Sequence, residues 1–189
     1  MNEFYLYLRL GLEHILDFGG YDHILFVVAL TAVYLVKDWT KVLILVTAFT
    51  VGHSITLALA TFNIIKVDQD LIELLIPLTI IITAFSNLFK KTTGNRRNVQ
   101  SNYLFALFFG LIHGLGFSQY LRSLLGKDTS IVKQLFAFNL GLEVGQIIIV
   151  ALFLLLSFIT VTVLGVKQKN WNLIVSSIVI GIALGLIIK

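Results

Sequence analysis

Residues 132–160 read VKQLFAFNLGLEVGQIIIVALFLLLSFIT, with Lys133 and Glu143 as their only charged side chains. As a helix this stretch rises about 1.5 Å per residue, which makes it longer than the roughly 30 Å hydrocarbon core of a bilayer and long enough to tilt or project. A transmembrane strand would alternate its two faces over about ten residues. Here the apolar run is continuous, so the segment reads as a membrane-spanning helix.

The same pattern repeats on both sides of it. Charged or turn-rich interruptions cut the chain into further apolar pieces at about 21–36, 41–62, 71–89, 103–121 and 172–188. The first 19 residues, MNEFYLYLRLGLEHILDFG, are apolar but carry Arg9, Glu13, His14 and Asp17. They lack the basic leader and uninterrupted core of a signal peptide and read as a short helix ended by Gly19-Gly20. The expected fold is all-α: a polytopic transmembrane helix bundle of six spans plus a short N-terminal seventh helix, one integral membrane domain over 1–189.

Composition agrees. The chain is 58% apolar and 13% charged, against about 45–50% and about 25% in soluble domains, and its mean hydropathy is +0.95. A water-soluble globule is excluded. With no cysteine there are no disulfides and no thiolate ligands, which leaves His, Asp, Glu, Asn, Gln and Ser for chemistry. The net charge of +4 sits in short loops between apolar runs, which fits membrane orientation and not nucleic-acid binding.

Segment 90–100, KKTTGNRRNVQ, holds Lys90, Lys91, Arg96 and Arg97 and no acid, so it is placed on the cytoplasmic side. Alternation from there puts eight Lys/Arg inside and five outside, with Arg9 unassigned. The expected location is a bacterial inner membrane. Beyond orientation, the basic segment reads as a lipid-headgroup contact, and Glu73 and Pro77 in an early helical turn read as structural.

An ionisable side chain within a span costs about 2.5–3.5 kcal/mol, so each one marks a functional hypothesis. All four histidines qualify: His14 and His23 flank the glycine turn, His53 lies in the second span and His113 in the fourth. With them stand Asp22, Ser54, Asn139, Glu143 and Gln146. By residue count His53 lies roughly 13 Å from the outer end of its span, with His113 and Glu143 at similar depth. Asn139, Glu143 and Gln146 share one helical face. Gly110 and Gly114 bracket His113, and Gly141 and Gly145 bracket Glu143, so close helix contact is expected at both. Imidazoles converging with carboxylates form the ligand set of nickel, cobalt or zinc, and not of calcium or magnesium alone. The plainer reading of each group is a local hydrogen bond to a neighbouring helix.

Four ordered motifs, GLEHILDFGGYDHILFVVAL at 11–30, TAFTVGHSITLALA at 47–60, FGLIHGLGFSQYL at 109–121 and FNLGLEVGQ at 138–146, resemble the HupE/UreJ family of small membrane proteins. That family is implicated in nickel or cobalt uptake beside hydrogenase and urease maturation genes. The resemblance covers nearly the whole chain, although there is no His-rich tail and Glu13-His14 replaces the family's common His-Pro start. It implies a six- or seven-helix bundle with a transition-metal site on His14, Asp22, His23, His53, His113 and Glu143, supported by Ser54, Asn139 and Gln146.

Two functions are therefore expected to compete. One is a permease or binding protein for a divalent transition metal, with lipid and the ion as partners. The other is an intramembrane hydrolase of a lipid ester or amide, whose zinc would be held by three histidines with Ser54 as oxyanion helper and Glu143 as general base.

Overall fold

The computed structural model describes residues 2–90, 96–124 and 131–188, with backbone alone for 96–101. The side chains of Lys91, Arg96, Arg97 and Lys127 therefore lie outside the described residues. The described elements are helical: α1 (Glu3–Ile15), α2 (Asp22–Thr31), α3 (Trp39–Thr61), α4 (Gln69–Phe89), α5 (Arg96–Gly116), α6 (Ser118–Leu124), α7 (Ile131–Ser157) and α8 (Gln168–Ile188). A 3-10 turn, Val36–Asp38, leads into α3, and a π-helical stretch, Phe158–Val163, prolongs α7.

Four of these stretches are long and apolar enough to cross a bilayer: Val36–Thr61, Gln69–Phe89, Ile131–Val163 and Gln168–Ile188. Helices α5 and α6 make a fifth when taken as one span, bent by 48° at the break between them. The protein is an integral membrane helix bundle.

The expected count of six spans plus one changes at the N-terminus. In place of a span at 21–36 there is a helix of 10 residues, and α1 has 13. At about 1.5 Å per residue neither crosses about 30 Å of hydrocarbon alone. The reasons are local. Asp17 Oδ1 accepts from the Gly19 N–H at 2.7 Å and holds an open turn between the two helices. At the far end of α2 the Thr31 hydroxyl turns back onto the Val27 carbonyl, and the Tyr34 N–H closes on Thr31.

The two short helices occupy opposite halves of the bundle. Helix α1 lies along the first half of α7, where Gln134 donates to Glu3 at 2.6 Å. Helix α2 reaches the end of the bundle that carries Lys90: Asn87, near the end of α4, donates to the Ala29 carbonyl at 2.7 Å, and Gln168 donates to Val33. The turn between them falls inside the thickness of the bundle.

Two backbone-close seams fix the rest. A β-carbon on Gly11 would overlap the Phe138 carbonyl, and one on Gly141 the Leu8 carbonyl, so α1 and α7 run side by side in parallel. In the same way Gly52 meets the Leu107 carbonyl, Gly110 that of Phe49 and Gly114 that of His53, which sets α3 parallel to α5. Without a hydrophobic force between helices in lipid, such contact between backbones supplies the packing energy.

Candidate metal centre

Each seam carries histidine inward. His14 lies three residues beyond Gly11 on α1, His53 directly follows Gly52 on α3, and His113 directly precedes Gly114 on α5. His23 stands in the first turn of α2. Four helices thus deliver one imidazole each to a common interior, where His53 and His113 have no exposed surface and His23 is 4% exposed.

Ring centroids lie 4.6 Å apart for His14 and His23, 5.3 Å for His23 and His113, 6.0 Å for His23 and His53, and 6.2 Å for His14 and His53. With metal–nitrogen bonds of about 2.0–2.1 Å and a ring centre about 1.2 Å behind each nitrogen, imidazoles sharing one ion stand roughly 4.5–6.5 Å apart. The spacing suits a shared cation. Among the described residues no three His, Asp or Glu side chains have their ligand atoms converged on a single point, so ligation requires rotation of the rings.

Five ring nitrogens are buried without a hydrogen-bond partner: Nε2 of His14, His23 and His113, and both nitrogens of His53. Leaving a buried polar group unsatisfied costs about 1–3 kcal/mol. Concentrating five in one interior is a large penalty for any purely structural role.

Two rings are held in a defined orientation. His113 Nδ1 lies 2.9 Å from the Phe109 carbonyl, and His23 Nδ1 lies 3.1 Å from Asp22 Oδ1. A carbonyl and a carboxylate only accept, so Nδ1 carries the proton in each ring and the lone pair of Nε2 is free. Asp22 Oδ1 also accepts from the His23 backbone N–H at 2.9 Å. The Asp22 carboxylate thus stands behind His23, in the carboxylate–histidine arrangement that orients metal-binding imidazoles.

The remaining expected residues fall elsewhere. Glu143 Oε1 accepts from the Thr47 hydroxyl at 2.8 Å, and Thr47 is six residues from His53, about 9 Å along α3. Gln146 Oε1 accepts from Thr50 at 2.8 Å, and the Ser54 hydroxyl donates to the Thr50 carbonyl at 2.7 Å. These groups form a polar seam between α3 and α7. Asn139 Oδ1 and Gln146 Nε2 are buried there without partners. Glu143 is engaged in this seam and the Ser54 hydroxyl is turned onto its own helix, so the geometry lends the hydrolase no support.

Aromatic residues near the rings were missed by the sequence reading, which counted them as apolar filling. Phe117 lies 3.9 Å from His14, Phe26 4.8 Å from His113 and Phe49 5.2 Å from His113, centroid to centroid. A signal was available. Phe26 follows His23 by three residues and Phe49 precedes His53 by four, the spacings that stack side chains on one helical face.

Residues 1–188 match the family model described as HupE / UreJ protein. No curated protein and no solved structure matches the chain.

Proposed function

The chain belongs to the HupE/UreJ family, a group tied to nickel and cobalt transport, and on that premise we propose that it carries a divalent transition metal across the membrane through the four-histidine interior. The reading rests on the five unpartnered ring nitrogens in one interior, where the His23 ring lies 4.6 Å from His14 and 5.3 Å from His113, centroid to centroid. Neutral imidazoles bind nickel, cobalt or zinc strongly enough to replace water, and unlike thiolates they exchange readily.

The cation approaches along the turn between α1 and α2. Asp17 is exposed there and Asp22 half-buried, and both carboxylates lie beside Gly20. The hollow at the same end of the bundle, between α3, α4 and α6, is lined by Lys66 and Arg122, whose charge repels a cation. Asp22 fixes the His23 ring through Nδ1 and leaves its Nε2 unpartnered, and the Phe109 carbonyl does the same for His113. By the orientation expected from the basic segment, uptake runs from outside toward the cytoplasm.

Metal analysis of the purified chain, together with nickel or cobalt uptake into proteoliposomes, tests this reading. Wild type is expected to hold metal and transport it, and His53→Ala and His113→Ala to do neither. Equal, negligible metal in all three proteins would overturn the proposal.

A further inference from the structure

The end of the bundle that carries Lys90 holds a second hollow, unconnected with the proposed metal ligands. A cavity opens between α2, α3, α4 and α5. Its walls are mainly hydrocarbon, from Leu30, Leu45, Ile82, Phe105 and Phe109, and polar side chains gather toward the helix ends at Asn87, Lys90 and Asn102.

The two asparagines are already engaged. Asn87 Nδ2 donates to the Ala29 carbonyl, and its own carbonyl accepts from Asn172. Asn102 donates to the Tyr34 hydroxyl at 2.9 Å. Lys90 is different. Its ammonium donates to Asn87 Oδ1 at 3.2 Å, and among the described residues no carboxylate pairs with it; the Lys and Arg ion pairs there are Arg9–Glu13 and Lys41–Asp38. Burial lowers the Lys90 amine to about 8, which measures how poorly water covers it.

An uncompensated ammonium over a hydrocarbon-lined hollow repels a divalent cation and attracts an anion with an apolar body. Lys91, Arg96 and Arg97 follow it in sequence with no acid between. Basic pockets between spanning helices take lipid headgroups at the membrane surface. We propose that this cavity binds an anionic phospholipid, whose phosphate pairs with Lys90 and one of whose acyl chains lies between α2, α3, α4 and α5. Phe109 lines the cavity and its carbonyl holds His113, so the lipid and the metal interior share a wall, although the lipid site does not depend on what the histidines bind.

Native mass spectrometry of the full chain in detergent tests it, with phosphatidylglycerol or phosphatidylcholine of identical chains added. Wild type should retain the anionic lipid by about fivefold or more, the worth of one basic side chain at the surface. Lys90→Gln should lose that preference and Lys90→Arg keep it. Ser86→Phe, which narrows the cavity, should lower retention of both lipids while metal content stays at the wild-type level. Equal retention of the two lipids by wild type, or an undiminished preference in Lys90→Gln, overturns the proposal. Displacement of the lipid by inorganic phosphate alone overturns it too, because the acyl chain would then contribute nothing.

Discussion

The histidine interior and the α3–α7 seam are both made of polar residues at membrane depth, yet they are finished differently. In the seam Thr47 donates to Glu143 and Thr50 to Gln146, each at 2.8 Å, and only Gln146 Nε2 among these groups is left without a partner. In the interior five ring nitrogens have no partner within the protein. Polar side chains in lipid stabilise a bundle when they pair across helices. Where they are brought together unpaired, an ion or water from outside the chain can pair with them, and the metal site proposed on the histidines rests on that difference.

The largest expected effect strikes the interior. His53→Ala removes a fully buried ring with two free nitrogens and should cost more metal affinity than the roughly 10–100-fold typical of losing an orienting group. Metal content by mass spectrometry, with thermal unfolding as a control for folding, measures this. A variant that is folded and still fully loaded would erase the contrast between the two regions.

Asp22→Asn tests orientation. The amide keeps the volume but loses the charge that holds the His23 Nδ1 proton, so metal affinity should fall about tenfold, with no loss of sites at saturation. Titration with nickel reads both quantities. A smaller effect belongs to Asp17→Asn, because Asp17 is exposed and touches only its own turn. Initial uptake should slow about two- to threefold at low salt, and the difference should vanish at high ionic strength as the charge is screened. Equilibrium metal content should not change.

Much of this was legible in the sequence, for physical reasons that also explain what was not. The long apolar runs gave α3, α4, α7 and α8 because a lipid solvent forces hydrogen-bonded helices of fixed minimum length. The same logic failed at 21–36. Apolarity carries no mark of where a helix stops, and α2 ends at Thr31 inside an apolar run, where the Tyr34 N–H closes a turn on the Thr31 carbonyl. Depth counting put His53 and His113 at one level, and the glycine contacts that lock α3 against α5 set Gly114 against the His53 carbonyl. It pooled Glu143 with them because depth says nothing of direction around a helix axis. Residues at one level point into different seams, and Gly141, beside Glu143 in the chain, makes the expected close contact against Leu8 of α1.

Glu143 and Thr47 give the smallest expected effect and the sharpest one. Thr47→Val removes the hydrogen bond but keeps the volume, and interhelical bonds of this kind average about 0.6 kcal/mol, with about 1.7 kcal/mol as the upper end. Glu143→Gln leaves an oxygen in place to accept from Thr47 and should change stability still less. Neither substitution touches a ring, so both proteins should hold as much metal as wild type while unfolding slightly more easily on heating. The carboxyl is the one group of the seam able to bind a transition metal tightly. If Glu143→Gln stays folded and comes away empty, the seam and the interior are one site, and the inference from unpaired nitrogens has drawn its boundary too narrowly. If it stays loaded while Asp22→Asn weakens binding, the two acids are separated by role: one positions a histidine and the other joins two helices.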